Sequence, residues 1–387
     1  MKAAKPTRAL QSAAKWRLVP YLLIAMIVTA LVGVTGPSAA ASTDLNILSK
    51  RDVKIYKSAF KAAKRGNWAN ARRSSRRGKA QLPRKILKWL HMTERGTTAT
   101  FDDISGFING NPGWPRMTRL KHRAEEAIDE NTPSADVLAW FAKYPPLRSD
   151  GHIALGEALI SNGDISQGHI HLRRAWISGR FNRRSERLFL RQHHKKFTAD
   201  DHWKRLDGLL WKRHYSSARR MYRRVSPELR AIAEARTSLR LFRGGVDRAI
   251  ARVEPSLRRD PGLLYERMRW RRRKGRTLDA FEILKSAPKD LVRADLWAKE
   301  RVLIARRLLR EGRITDAHRA ISGHRLTPQS RGRFAEAEWL TGWIELRFLN
   351  ESQSAFRRFR RLHDTVRFPV SRARCLLGRT CSQSTGQ

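Results

Sequence analysis

Histidine and carboxylate are the residue types in this 387-residue chain whose placement comes nearest to chemistry. His169 and His171, His193 and His194, and His202 behind Asp200 and Asp201 bring imidazole close to acid in sequence. Imidazole ligates metals and moves protons near neutral pH. Their spacing argues against a metal. On a helix His169 and His171 point to nearly opposite sides, and neither HExxH nor paired-cysteine spacing accompanies any of them. A retaining glycosidase needs two carboxylates about 5 Å apart, and no motif specifies such a pair. Asp102, Asp103, Asp200 and Asp201 fit helix caps or solvated turns instead. With no Gly-rich phosphate loop and no nucleophile elbow, the residues assign no catalytic group, no metal ligand and no cofactor.

The elements that would position any site are legible as a repeat. Gly66, Trp68 and Ala71 share a spacing with Gly163, Ile165 and Gly168, with Gly244, Val246 and Ala249, with Gly275, Thr277 and Ala280, and with Gly312, Ile314 and Ala317. Looser copies keep Tyr215 and Ala218 behind Arg213, and Ala355 behind Asn350 and Ser352. From Ala218 onward the small residues lie 31, 31, 37 and 38 apart, the range of solenoid arrays. A glycine with positive φ ends one helix, and the small residue lets the next pack close against it. Ala298, Val302, Ala305 and Leu309, with Trp297, Ile304 and Leu308 beside them, form an apolar stripe of helical period. Pro and Gly punctuate helix-length segments, as in "NPGWP" at 111–115, and strand signals are nearly absent. The spacing predicts an all-α, right-handed superhelix, an α-solenoid of TPR-like helical hairpins, over residues 42–374.

Lys2, Lys5, Arg8, Lys15 and Arg17 precede an apolar run from Tyr21 to Val34 and an Ala39-x-Ala41 site. That order reads as a signal peptide over residues 1–41 and places the chain in the periplasm. The run is short for a membrane span, and an uncleaved anchor in the inner membrane is the alternative. Removing those five cations leaves +41 of the formal +46. In the cytoplasm such a charge would point to nucleic acid. Export, the even spread of the arginines and the lack of a recognition motif weaken the case for a specific nucleic-acid partner and point to peptidoglycan glycan strands and other anionic envelope surfaces. An arginine-biased solvated surface is the bland alternative. Most tryptophans, among them Trp140, Trp176, Trp211, Trp297, Trp339 and Trp343, fall on apolar stripes and are expected in the core. Trp270, ahead of Arg271, Arg272 and Arg273, marks a basic aromatic rim. Cys375 and Cys381 could form a disulfide in an oxidising compartment, which would staple only the tail.

From about Asp52 to Arg374 the chain resembles the N-terminal superhelical region of soluble lytic murein transglycosylases, especially the alphaproteobacterial kind. The stretches that carry this are "NPGWP" at 111–115, "VLAWFAKYPP" at 137–146, "GEAL" at 156–159, "RRAW" at 173–176, "FTADDHWKRLDGLLW" at 197–211 with "YSSARRMYRRV" after it, and "AEWLTGWIELRFL" at 337–349, in that order. The resemblance implies a periplasmic ring-shaped superhelix followed by a lysozyme-like domain. That domain cleaves the bond between N-acetylmuramic acid and N-acetylglucosamine without water, leaving a 1,6-anhydro sugar, with one glutamate as acid and base. The family carries that glutamate in a Glu-Ser pair followed by Gly-Leu-Met-Gln, which this sequence lacks. Glu351-Ser352 lies within the repeat and reads as coincidence. Residues 375–387 form an atypical tail, attributable to a frameshift, an early stop or a natural short end. The expectation is a wall-associated superhelical domain without activity of its own. The alternatives are a periplasmic adaptor that grips a protein on its concave face, and a nucleic-acid or membrane-surface binder driven by charge.

Overall fold

The computed structural model describes residues 48–288 and 291–365. The expected signal peptide, Cys375, Cys381 and the atypical tail lie outside the described residues. Within the described residues, nineteen α-helices and three short 3-10 helices make up the regular structure and no strand occurs. The packing forms two compact units, dividing between His91 and Met92.

The first unit holds α1 (Lys50–Lys64), α2 (Trp68–Ser75) and most of α3 (Gln81–Thr93). Tyr56, Ala59, Ala63, Ala71 and Leu87 form its core. Buried Asp52 accepts the backbone N–H groups of Lys79 at 2.9 Å and Ala80 at 3.1 Å, tying α1 to the loop before α3.

The second unit begins with α4 (Phe101–Asn109), α5 (Met117–Ala127), α6 (Ser134–Lys143), α7 (Ser149–Ser161), α8 (Ile165–Ser178) and α9 (Arg183–His193). It continues through α10 (Ala199–Trp211), α11 (Tyr215–Met221), α12 (Pro227–Arg240), α13 (Val246–Ala251), α14 (Pro261–Arg273) and α15 (Thr277–Lys285). It closes with α16 (Ala294–Arg310), α17 (Ile314–Ser322), α18 (Gly332–Phe348) and α19 (Ser352–Thr365). The pairs α10 with α11, α12 with α13, α14 with α15, α16 with α17 and α18 with α19 pack as hairpins. The first helix of each pair also packs on the first helix of the next, from α10 through α18. This nearest-neighbour stacking is the contact pattern of an α-solenoid.

The hairpin turns explain the glycines. Gly66, Gly163, Gly275 and Gly312 all hold positive φ, between 72° and 91°. At the last, Arg313 N–H donates to Leu308 O at 2.9 Å and Gly312 N–H to Leu309 O at 3.0 Å, a double bond pattern that satisfies the helix's final carbonyls. Arg213 (φ 63°) and Asn350 (φ 56°) occupy the same position without glycine's freedom. One copy differs from the sequence reading. Gly244 does not end its helix; Phe242 does so at φ 54°, and Gly245 at φ 69° caps α13. The turn is two residues longer there, and the Phe242 ring recovers contact by lying under the Arg273 guanidinium at 4.4 Å.

The small positions are fully inside: Ala71, Ala218, Ala249, Ala280, Ala317 and Ala355 are all buried. Gly168 replaces alanine because its helix crosses Gly156 almost in contact. A Cβ on Gly168 would lie 2.7 Å from Gly156 O and 2.5 Å from the Ile160 side chain. The branched position is less uniform. Val246 and Thr277 are buried, Trp68, Tyr215 and Ile314 are half-buried, and Ile165 is 56% exposed.

Guanidiniums join one repeat to the next. Arg236, itself buried, reaches Asp207 on α10 at 2.6 Å and lies 3.7 Å from Asp260, the N-cap of α14. Its planar end rests on Gly262, where a Cβ would fall 2.1 Å from Arg236 Cζ. Gly262→Ala should therefore lower stability by roughly 1–3 kcal/mol, by overpacking a buried charge. At an unobstructed helix position the same change gains up to about 1 kcal/mol. The sign of the melting-temperature shift decides.

Another cross-helix contact titrates. His152 Nδ1 on α7 and His171 Nδ1 on α8 are 2.9 Å apart, so one imidazole donates and the other accepts, and both can be neutral but not both cationic. Burial, with His171 and Arg174 nearby, pushes His152 down to about 4, and burial also lowers His171. Folded-state pKa values below the free value mean that this stability is present above about pH 6.5 and is lost as pH falls toward 4. Urea melts at pH 7 and pH 4.5 should show a smaller acid loss in His171→Gln than in the unchanged chain.

Candidate anion-binding groove

A groove of about 770 Å³ opens between α9 and the end of α11. Asn182 sets the register of α9 by accepting the N–H groups of Arg184 at 2.8 Å and Ser185 at 2.9 Å. Arg183, Arg187 and Arg191 then follow one another at one-turn intervals along the groove wall. Arg220, Arg223 and Arg224 complete it from the other side, with His194 at the edge.

Only one carboxylate lines this space, and it is already committed. Buried Glu186 takes Arg220 through two bonds, 3.0 and 2.9 Å, and Arg205 Nη2 at 3.3 Å. Arg205 is fully buried, stacked on Trp176 at 4.1 Å and also donating to Gly179 O at 3.0 Å. Burial pulls its pKa down to about 10, and Glu186 keeps it charged at neutral pH. Arg183, Arg187, Arg191, Arg223 and Arg224 are exposed and have no ion-pair partner among the described residues. Five uncompensated guanidiniums around one concavity make a persistent positive field. Guanidinium binds carboxylate or phosphate through paired, charge-assisted hydrogen bonds.

The opposite electrostatics occurs nearby in sequence. Glu125, Glu126, Asp129, Glu130, Asp150 and Glu157 line a separate groove of about 660 Å³. Burial pushes Glu125 up to about 7, a value that suits a general acid. Its geometry gives it another task. Its two oxygens accept the backbone N–H groups of Leu147 at 2.8 Å and Arg148 at 3.2 Å, clamping the entrance to α7. The packing is so close that a Cβ on Gly151 would lie 2.6 Å from Oε2.

The histidines singled out in the sequence diverge. His171 meets His152, His193 bonds Glu157 at 3.1 Å, His202 accepts from the Trp176 indole at 3.1 Å, and exposed His194 faces its own helix at Leu190 O. His169 stays half-buried on α8. Among the described residues no group of three or more His, Cys, Asp or Glu could hold a metal ion. Asp201 belongs to a cap: it and Thr198 exchange reciprocal bonds at the start of α10, and against the upward pull of burial those bonds, joined by Arg173, hold its carboxyl below the usual range. Asp103 N–H donates to the Thr100 cap at 3.2 Å. Glu351 and Ser352 sit at the turn into α19, where Glu351 N–H donates to Glu345 O at 2.9 Å.

Trp140, Trp176, Trp211 and Trp297 are buried, whereas Trp339 is 37% exposed and stacks on Trp343 with ring centroids 6.0 Å apart. The run behind Trp270 is not one rim. Arg271 donates to Asp279 O, Arg272 pairs with Glu300, and Arg273 covers Phe242. The groove arginines of α9 had a signal in their four-residue spacing that the sequence reading passed over. Arg223 and Arg224 had none, because only the fold brings the end of α11 beside α9.

No protein-family model matches the chain, and no curated protein does. Among solved structures, it is similar to an inactive mutant of the lytic transglycosylase Slt from Pseudomonas aeruginosa, at 17% identity and a TM-score of 0.47. The match covers 86% of this chain and 53% of that one, so the chain spans about half the length of that protein.

Proposed function

We propose that the chain is a periplasmic, peptidoglycan-associated solenoid that holds anionic wall polymer through the α9 and α11 arginine groove. The observation that carries this reading is the cluster of five exposed, unpaired guanidiniums around a space that admits a polymer segment. The ordered stretches that resemble the superhelical region of lytic transglycosylases supply the polymer's identity, and the N-terminal leader supplies the compartment. In this proposal the described residues bind without cleaving, since Glu125, the carboxyl nearest to a general acid in character, is committed to the backbone that leads into α7. A second reading is a non-enzymatic adaptor for a protein partner. It draws on exposed Trp339 and Phe348 of α18, both in ring contact with half-buried Trp343.

Binding to purified sacculi tests the first reading. Changing Arg183, Arg187 and Arg191 together to Gln should weaken retention by about two orders of magnitude at low salt, on the order of 1 kcal/mol for each charge facing an anionic surface. The difference should shrink above physiological salt, where screening acts within about 8 Å. The same change at Arg72, Arg73 and Arg76 is the control for diffuse charge. An equal loss in both triple variants, or no retention by the unchanged chain, would overturn the groove assignment. Incubation with sacculi should release no anhydro-muropeptides, and release above a blank would overturn the claim of binding without cleavage.

A further inference from the structure

A second concavity, of about 260 Å³, lies between α13 and α14 and has a different construction. Its apolar lining is Leu239, Val246, Ile250 and the indole of Trp270, which packs partly against the core of this hairpin. Its polar lining includes four guanidiniums, three of them already committed. Arg258 donates to Val253 O at 2.9 Å and Ala251 O at 3.1 Å, capping the end of α13. Arg271 donates to Asp279 O at 3.0 Å, and Arg276 pairs with the Asp279 carboxylate at 2.5 Å.

Arg267 is the exception. It is half-buried, lines the groove and has no hydrogen-bond or ion-pair partner among the described residues. Burial, with Arg271 and Arg258 close enough to repel its charge, lowers its pKa. An anion placed there would offset that repulsion and pair with the guanidinium. Asp247 also lines the groove and offsets part of the field. The site selects for a body as well as a charge, because the floor beneath the guanidinium is aliphatic and aromatic. The volume is just below the roughly 300 Å³ at which small-ligand pockets begin.

We propose that the groove between α13 and α14 is a binding site for a small monocarboxylate carried on a flat ring, the carboxylate on Arg267 and the ring against Trp270. The site is separate from the α9 and α11 groove and does not depend on wall binding.

The test uses 3-phenylpropionate as the probe and ligand-observed NMR on the full chain. Binding in about the millimolar range is expected for a ligand of this size. Arg267→Gln should weaken it at least about 10-fold, as loss of a charge-assisted pair requires, and Trp270→Leu should weaken it several-fold. Far-UV circular dichroism checks that both variants fold. The neutral amide of the probe should not bind. The Arg183, Arg187 and Arg191 triple variant should bind the probe as the unchanged chain does, which separates this site from the wall-binding groove. Undetectable binding, binding indifferent to Arg267→Gln, equal binding of the amide, or displacement by equimolar inorganic phosphate would each overturn the proposal.

Discussion

The second unit depends on guanidiniums that leave one helix and end on a carboxylate or carbonyl one repeat away. Arg173 reaches Asp201, Arg236 reaches Asp207, Arg240 reaches Glu266 and Arg272 reaches Glu300, with sequence separations of 26 to 29 residues. Arg205 follows the same habit toward Gly179 O, 26 residues back. Several of these groups are almost wholly buried, Arg205, Arg236, Arg240, Glu266 and Glu300 among them. A buried ion pair adds little net stability over a well-packed apolar pair, yet removing one partner costs about 3–5 kcal/mol because a charge is left stranded. A solenoid held this way has a register. Sliding one hairpin by a residue would strand a guanidinium, whereas an apolar interface would tolerate the shift better.

Aromatic rings complete these clamps. Arg205 lies over Trp176, Arg236 over Trp211 and Arg240 over Tyr265. The ring faces offset part of the desolvation of the cation while adding apolar area to the core. This accounts for tryptophans that are buried but not surrounded by aliphatic neighbours alone. It also accounts for Gly262, whose missing side chain is the space in which Arg236 lies flat.

The clamps shape the surface by subtraction. With 81 Lys and Arg against 35 Asp and Glu, carboxylates are the scarce partner. Many are drawn inward or into helix caps, as Glu186, Glu266, Glu300, Asp201 and Asp260 are. Arginines beyond that number remain on the outside without a counter-charge, and where two helices bring them together the field concentrates. The α9 and α11 groove and Arg267 beside Trp270 are both products of that imbalance. Acidic side chains gather mainly around α5 and α7, where Glu125 serves the backbone.

The hairpin period, the turn glycines and the small packing positions were legible in the sequence because they are local. A left-handed residue at Gly163 or Gly312 and a buried alanine five residues later depend on a few consecutive dihedrals. Gly244 alone fits the spacing to Val246 and Ala249, yet the left-handed position falls on Phe242, whose residue type gives no such signal and whose ring meets Arg273 on another helix. Gly168 could be read as a packing position, but its need for glycine became visible only with Gly156 facing it. The charge surplus was also in the sequence, without its distribution. Which arginines are clamps and which are free, and that α9 stands beside α11, follow from how one repeat stacks on the next. A side chain reaching across a repeat finds its partner through that stacking, and residue spacing along one helix carries no record of it.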